Sequence, residues 1–305
     1  MGAMTDNFDW FKDNGIYMPM INDTGRNIFY KAAIEAAVPG KVVCDIGTGS
    51  GLLSIIAAKA GATKVYAVEM DPGRAAFAEE MFAKLGLTNI EVVKGDFLDT
   101  DIRADIFVSE TIGSQVFNEN IIAIARHALR HGGEFIPAQF DLRLALYENH
   151  PIFPMVQFKS DAFEFQPDID IDPTYEAIVN STFQAKHPLL DTLYRANCIH
   201  DLFRELPKFT DLKLNKLYET EPVIVDLNNA REDNIRIRIP NSVIPANTNV
   251  CAVLFWTARS GQHSMDLVDT IWGYPDRIIL SHLRKPNADI ETWYDHSIQD
   301  WRFSF

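Results

Sequence analysis

At 305 residues, 47% of them hydrophobic, the chain carries enough apolar surface for a large core and is long for one domain, so two domains are expected. No apolar run reaches the ~18 residues of a membrane span, and an N-terminus bearing Asp6, Asp9 and Asp13 has no signal-peptide pattern, so a cytoplasmic protein is expected. A net charge of −14 disfavours nucleic acid and suits a cationic partner. Cys44, Cys198 and Cys251 have no paired spacing, which argues against a disulfide framework or a zinc site. Residues 1–4 read as a cloning scar and start.

In chain order, Asn7 to Phe11 forms a short amphipathic pattern, and a turn around Asn22-Asp23-Thr24 precedes a helix of about Arg26 to Ala37. Val42 to Ile46 then reads as a buried strand, Gly47-Thr48-Gly49-Ser50-Gly51 as a tight turn, and the Leu/Ile/Ala run from Leu52 as a helix ending at Gly61. Such a unit lets backbone and helix N–H groups meet a ligand closely. No Gly-Lys-Ser/Thr follows, so it is not a phosphate-binding P-loop. Lys64 to Glu69 reads as the next parallel strand, and Glu69 ends it about twenty residues past the loop, where a carboxylate accepts both hydroxyls of a ribose. A purely structural strand, turn and helix would need no acid there, so a nucleoside-type cofactor is expected.

Asp71-Pro72 opens another helix that ends at Gly86, Ile90 to Val93 is the third strand, and Gly95-Asp96 follows it. Ala104 to Val108 is the fourth strand, and ligands in open α/β sheets bind beyond such strand ends. From that end departs Ser109-Glu110-Thr111-Ile112-Gly113-Ser114-Gln115-Val116-Phe117-Asn118-Glu119, two acids nine residues apart on a loop able to fold back at Gly113. A capping acid at Glu119 with a solvated Glu110 is the bland alternative. Ile121 to His131 is a helix closed by Gly132-Gly133, and Pro137 marks the expected boundary between domains at 5–137 and 138–305. About 168–205 is a mixed segment with helical pieces. Val223 to Asp226, Ile235 to Ile239 and Val250 to Trp256 alternate as antiparallel strands. The tail from Asp289 to Phe305, rich in Trp and Tyr, has no assigned role.

The spacing Gly-x-Gly-x-Gly, with Asp45 two residues ahead, resembles motif I of S-adenosylmethionine-dependent methyltransferases. The order Gly15, Ile16, Met20, Asp23, Arg26, followed by the loop with serine, both glutamates, glycine and Phe117 in matching order, resembles the protein arginine methyltransferases. That resemblance implies a doubly wound Rossmann-like α/β sheet followed by a β-barrel-like antiparallel domain, the segment 168–205 serving as a dimerisation arm, and a cis peptide or rigid turn at Ile136-Pro137. It implies S-adenosylmethionine as cofactor and S-adenosylhomocysteine as product, with Arg26 on the cofactor carboxylate and Met20 near the sulfonium. Asp45, Gly47, Thr48, Gly49, Gly51, Leu52, Glu69, Met70, Gly95, Asp96 and Glu110 complete the implied cofactor contacts.

Glu110 and Glu119 take the catalytic roles in this resemblance, and Phe11, Tyr17 and Trp272 line the substrate. The chemistry explains the pair of acids. A guanidinium is planar, has five N–H donors and stays protonated, so its nitrogens are poor nucleophiles. Two carboxylates grip it, orient one terminal nitrogen and draw positive charge toward the others. The chain departs from the family at Asn7, Phe8 and Phe11, where tyrosines are usual, and at Thr270-Ile271-Trp272, which lacks a histidine. The expected activity is arginine N-methylation of a protein or peptide by a homodimer. Methylation of a small molecule or specialised biosynthetic peptide, and a non-catalytic cofactor-binding scaffold, are the alternatives.

Overall fold

A computed structural model describes residues 23–113, 116–117, 119–148, 214–229, 235–246, 250–270, 278–281, 288–298 and 300–304. Phe11, Tyr17, Met20, Trp272 and the segment 168–205 lie outside the described residues. Helix α1 (Thr24–Ala37) leads into β1 (Val42–Ile46), α2 (Leu52–Lys59), β2 (Lys64–Glu69), α3 (Pro72–Lys84), β3 (Ile90–Lys94), β4 (Ile106–Ser109), α4 (Ile121–Ala128) and β5 (Glu134–Ile136). The five strands make one parallel sheet in the order β3-β2-β1-β4-β5, with the order reversing beside β1. That reversal is where open α/β sheets leave a crevice beyond their carboxyl ends.

Local sequence sets the helix starts. Asp23 and Asp71 stand as N-caps of α1 and α3, their carboxylates accepting from the Arg26 and Arg74 amides at 3.2 and 2.8 Å. Such caps satisfy amides that the first turn leaves without helical partners. Helices α2 and α4 have no side-chain cap and start from left-handed residues, Gly51 at φ 82° and Asn120 at φ 64°. The α4 helix is shorter than expected: from Leu129 to His131 the chain tightens into a 3-10 turn before Gly132.

The Ile136–Pro137 bond is cis. The parallel sheet ends at Ile136 on one side of it, and on the other β6 (Gln139–Glu148) starts an antiparallel sheet with β7 (Lys216–Glu219), β8 (Val223–Asp226), β10 (Val250–Ser260), β11 (His263–Asp266) and β12 (Ile278–Ser281). A third sheet joins β9 (Arg236–Ile239) to a hairpin of β13 (Ile290–Asp295) and β14 (Asp300–Ser304). The residue period of two puts Phe140, Leu142, Leu144 and Leu146 on one face of β6 beside Ala252, Leu254, Trp256 and Ala258 of β10. These join one buried cluster that runs on through Phe117, Phe107, Val43 and Phe29, so the two sheet systems share a core.

Helix α1 fastens this junction at its first turn. A Cβ on Gly25 would stand 2.3 Å from the backbone carbonyl oxygen of Asp269, in the turn after β11. Glycine is here a spacing requirement imposed by a residue 244 positions away. In an exposed helix Gly→Ala stabilises by about 1 kcal/mol, but Gly25→Ala should destabilise by about 1–3 kcal/mol, the usual penalty of overpacking. Thermal or urea unfolding of the variant measures the sign, and an unchanged or raised midpoint would show that the helix and the turn can separate freely.

Candidate functional site

Strand register builds the site. Ile46 of β1 lies opposite Val68 of β2 and Ser109 of β4, so Gly47, Glu69 and Glu110 emerge level at the carboxyl edge of the sheet. The Gly47 and Thr48 amides both donate to the Val68 carbonyl at 3.0 Å, which curls the loop back over β2. Around this edge opens a cavity of about 420 Å³, within the range of small-molecule and cofactor sites.

Glu69 forms one wall and is 3% exposed. Its Oε2 accepts from the Gly49 amide at 3.0 Å and its Oε1 from the Asp71 amide at 2.9 Å. One carboxylate thus ties the glycine loop to the start of α3, while each oxygen retains a second lone pair for a ligand hydroxyl. Gly47, Thr48, Gly49, Leu52, Met70, Gly95 and Asp96 also line the cavity. The Asp96 carboxylate is engaged locally as well, accepting from the Leu98 amide at 2.9 Å.

Two residues expected at the cofactor, Asp45 and Gly51, are not among those lining the cavity. Asp45 does not reach the cavity: its Oδ2 accepts the Thr48 and Ser54 hydroxyls, both at 2.7 Å, so it braces the loop from beneath. Burial pushes its carboxyl up to about 6, with those two hydroxyls opposing the shift. Gly51 also turns away from the cavity. A Cβ there would come 2.6 Å from the Phe82 ring, so this glycine serves the packing of α2 on α3.

Glu110, Glu119 and Arg26 line the same cavity as Glu69. Arg26 Nη1 lies 3.0 Å from Glu110 Oε2, and the glutamate side chain is 13% exposed. The Tyr30 hydroxyl donates to the Ser109 carbonyl at 2.8 Å and the Ser109 hydroxyl to the Ile46 carbonyl at 3.1 Å, which pins the strand end carrying Glu110. Desolvation raises the Glu110 carboxyl to about 7, Arg26 pulls it down and Glu119 adds to the rise. Glu119 is more open to solvent. Desolvation still raises its carboxyl above the ordinary range, and Arg74 opposes this.

Two backbone hydrogen bonds mark the described part of the connection between the acids. The Val116 amide donates to the Gly113 carbonyl at 2.9 Å and the Asn120 amide to the Phe117 carbonyl at 3.1 Å. Val116 has φ 54°, an outlier for a β-branched residue, of the kind that costs about 1–3 kcal/mol and gathers at functional sites. Asn120, not Glu119, takes the N-cap position of α4, so the capping explanation of Glu119 fails. Sequence reading missed Arg74, Thr111, Asn120 and Ile124 in the cavity wall. For Arg74 a signal existed: it lies in the first turn of a helix that starts just past the strand end carrying Glu69.

The comparisons agree with this geometry. Residues 37–187 match a family model described as a methyltransferase domain. The chain is 40% identical over 121 residues to mouse protein arginine N-methyltransferase 9, covering 37% of this chain and 14% of that protein. It is 35% identical over 123 residues to an arginine N(omega)-methyltransferase of Streptomyces achromogenes subsp. streptozoticus, covering 38% and 34%. To the histone-arginine methyltransferase CARMER of Anopheles gambiae it is 29% identical over 202 residues, covering 62% and 32%. Over its cofactor-binding half the chain is thus similar to protein arginine methyltransferases. It spans between 14 and 34% of the length of these three relatives. The crystal structure of PRMT6 superposes with a TM-score of 0.58 over 96% of this chain and 98% of that one, and at 17% identity this speaks for the two-part methyltransferase fold.

The Asp45 geometry makes a prediction that needs no ligand. With the carboxyl raised from 3.8 to about 6, the folded state holds a proton that the unfolded state has released between those values. Stability from this group therefore falls as pH rises from about 4 to about 6 and is flat above. Asp45→Asn removes the titration, so the difference in melting temperature, variant minus wild type, should rise across that window and then hold constant. A difference independent of pH would place the carboxylate in contact with water.

Proposed function

We propose that this chain transfers a methyl group from S-adenosylmethionine to a terminal guanidinium nitrogen of arginine in a protein or peptide. The observation that carries the reading is the convergence of Glu110 and Glu119 on the cavity walled by the glycine loop and Glu69. Arg26 at 3.0 Å from Glu110 supplies a guanidinium already held by one of these acids.

The residues present fit the cofactor. Glu69 would meet the ribose hydroxyls with its remaining lone pairs, Gly95 and Asp96 would adjoin the base, the uncapped start of α2 would offer amide donors, and Arg26 would donate to the cofactor carboxylate. When bound, S-adenosylmethionine supplies an electrophilic methyl group on a sulfonium. Glu110 and Glu119 hold the substrate guanidinium, draw its charge toward the nitrogens they contact and aim the remaining terminal nitrogen at that methyl. The two anions would stabilise the positive charge that methyl transfer brings onto the guanidinium. A glutamate accepts the proton that the product loses, and the raised carboxyl of Glu110 suits this task.

A homodimer and a cytoplasmic location are part of the same proposal. For assembly, support comes from a Trypanosoma brucei PRMT1 structure, an enzyme–prozyme heterotetrameric complex that superposes with a TM-score of 0.54. A free small guanidino compound as the methyl acceptor is a second reading, favoured by the Streptomyces relative, whose name specifies arginine alone.

Incubation with methyl-labelled S-adenosylmethionine and cell extract, followed by acid hydrolysis, tests both. Label in methylarginine released from macromolecules supports the first reading, label in a small molecule the second, and label on another amino acid would overturn both. In wild type, kcat/KM for the arginine substrate should fall about tenfold per pH unit below about 7, because protonating Glu110 removes the anion that grips the cation. The midpoint in kcat should lie lower, since a bound guanidinium favours the carboxylate. Glu119→Gln should lower kcat about a hundredfold or more while cofactor affinity, read by calorimetry, stays within about twofold.

A further inference from the structure

The Trp- and Tyr-rich tail, without a role in the sequence, forms the β13–β14 hairpin, and its aromatic face closes on the turn that carries Glu119. Tyr294 and Trp301, paired across that hairpin, have ring centroids 5.7 Å apart. Phe117 is completely buried between them and β6: Trp301 stacks on it at 6.0 Å and 20°, Tyr294 meets it edge-on at 5.3 Å, and Phe140 meets it edge-on at 5.5 Å. The Tyr294 hydroxyl donates to the Phe117 carbonyl at 2.9 Å.

That carbonyl is the acceptor that closes the turn. It also receives the Asn120 amide at 3.1 Å, so Glu119 is the third residue of a four-residue turn whose first residue is gripped by the tail. Both lone pairs of the oxygen are used, one by the turn and one by a residue 177 positions away. The turn is also held against its own preference, since Val116 just before it has φ 54°. Backbone in that region persists when the surroundings over-determine it. The surroundings here are the aromatic cage.

We infer that the C-terminal hairpin is the positioning device of the second catalytic glutamate: Tyr294, through the Phe117 carbonyl, sets where Glu119 stands relative to the bound guanidinium. The inference rests on the proposed arginine methylation for its kinetic consequence, while its structural half stands without any substrate. Tyr294 touches neither substrate nor cofactor in this account. It is a positioning residue, and the cofactor wall built by Gly47, Gly49 and Glu69 does not depend on it.

Tyr294→Phe keeps the ring and removes the donor, and three measurements decide the matter. Hydrogen exchange should quicken across 113–120 and stay as in wild type across 42–52; unchanged exchange at 113–120 would overturn the proposal whatever the enzyme's activity. In steady-state kinetics kcat for the arginine substrate should fall about five- to tenfold, the effect of losing one hydrogen bond, with cofactor affinity unchanged. Added to Glu119→Gln, Tyr294→Phe should cost less than about a further twofold, because the two changes act on one element. A full independent loss in the double variant would show that Tyr294 acts elsewhere. Arg302→Gln is the control: it removes an exposed contact to Asp295 in the same hairpin, at 3.3 Å, and should leave kcat unchanged. If Tyr294→Phe does not fold, Trp301→Phe, which keeps an aromatic ring in the stack, carries the same exchange measurement. A wild-type protein that methylates no arginine would defeat the proposed function, and the exchange result would still decide the positioning role.

Discussion

The pairing register of three parallel strands is the constraint on which the rest depends. Because Ile46 stands opposite both Val68 and Ser109, the residues that follow each strand leave the sheet at one level. A slip of one residue would turn each side chain to the other face of the sheet. The buried runs Val43 to Ile46 and Ile106 to Val108, packed on both faces, resist such a slip through hydrophobic burial alone. The chemistry of the cavity is thus placed by residues that have no chemistry of their own.

The same register crowds acids into a desolvated place, and each is handled differently. Glu69 has two backbone amides, Asp45 has two hydroxyls, and Glu110 has a guanidinium. An unpaired buried charge costs several kcal/mol, so these partners are conditions of folding before they are features of a site. The differences matter for function. Amides and hydroxyls leave an acid fixed as an acceptor, whereas an arginine side chain can exchange one anion for another. Arg26 is therefore the adjustable member, able to hold Glu110 and still present donors to a ligand carboxylate.

Much of this was legible in the sequence because it is local. The strand, glycine turn and helix at 42–59, the acid closing β2 and the two acids after β4 announce themselves through composition and spacing, and the structure brings them to one cavity. Sequence pattern is silent where one residue also serves long-range packing. Asp45 and Gly51 sit inside a ligand-binding motif, yet one braces the loop through Thr48 and Ser54 and the other makes room for Phe82. Gly25 looked like an ordinary turn residue before a helix; its reason is the Asp269 carbonyl, which no local pattern contains. The aromatic tail signalled burial without a partner, since aromatic composition says that a residue packs and not against what.

The division into two sheet systems is accordingly a description of topology more than of function. The parallel sheet places Glu110 at a strand end, but Glu119 stands on a loop outside the regular hydrogen bonding that makes a strand end rigid. An isolated loop with a β-branched residue at positive φ would relax toward other conformations at no great cost. Rigidity has to be imported, and the antiparallel half provides it from two directions: Phe140 of β6 beneath Phe117, and the β13–β14 hairpin around it. Contact between Gly25 and Asp269 does the same for the helix that carries Arg26. An acid on a fixed strand end and an acid on a turn held from outside give the cavity one fixed jaw and one set by the rest of the fold. Changes in the antiparallel half can therefore retune the grip on a cation without touching the wall that faces the cofactor.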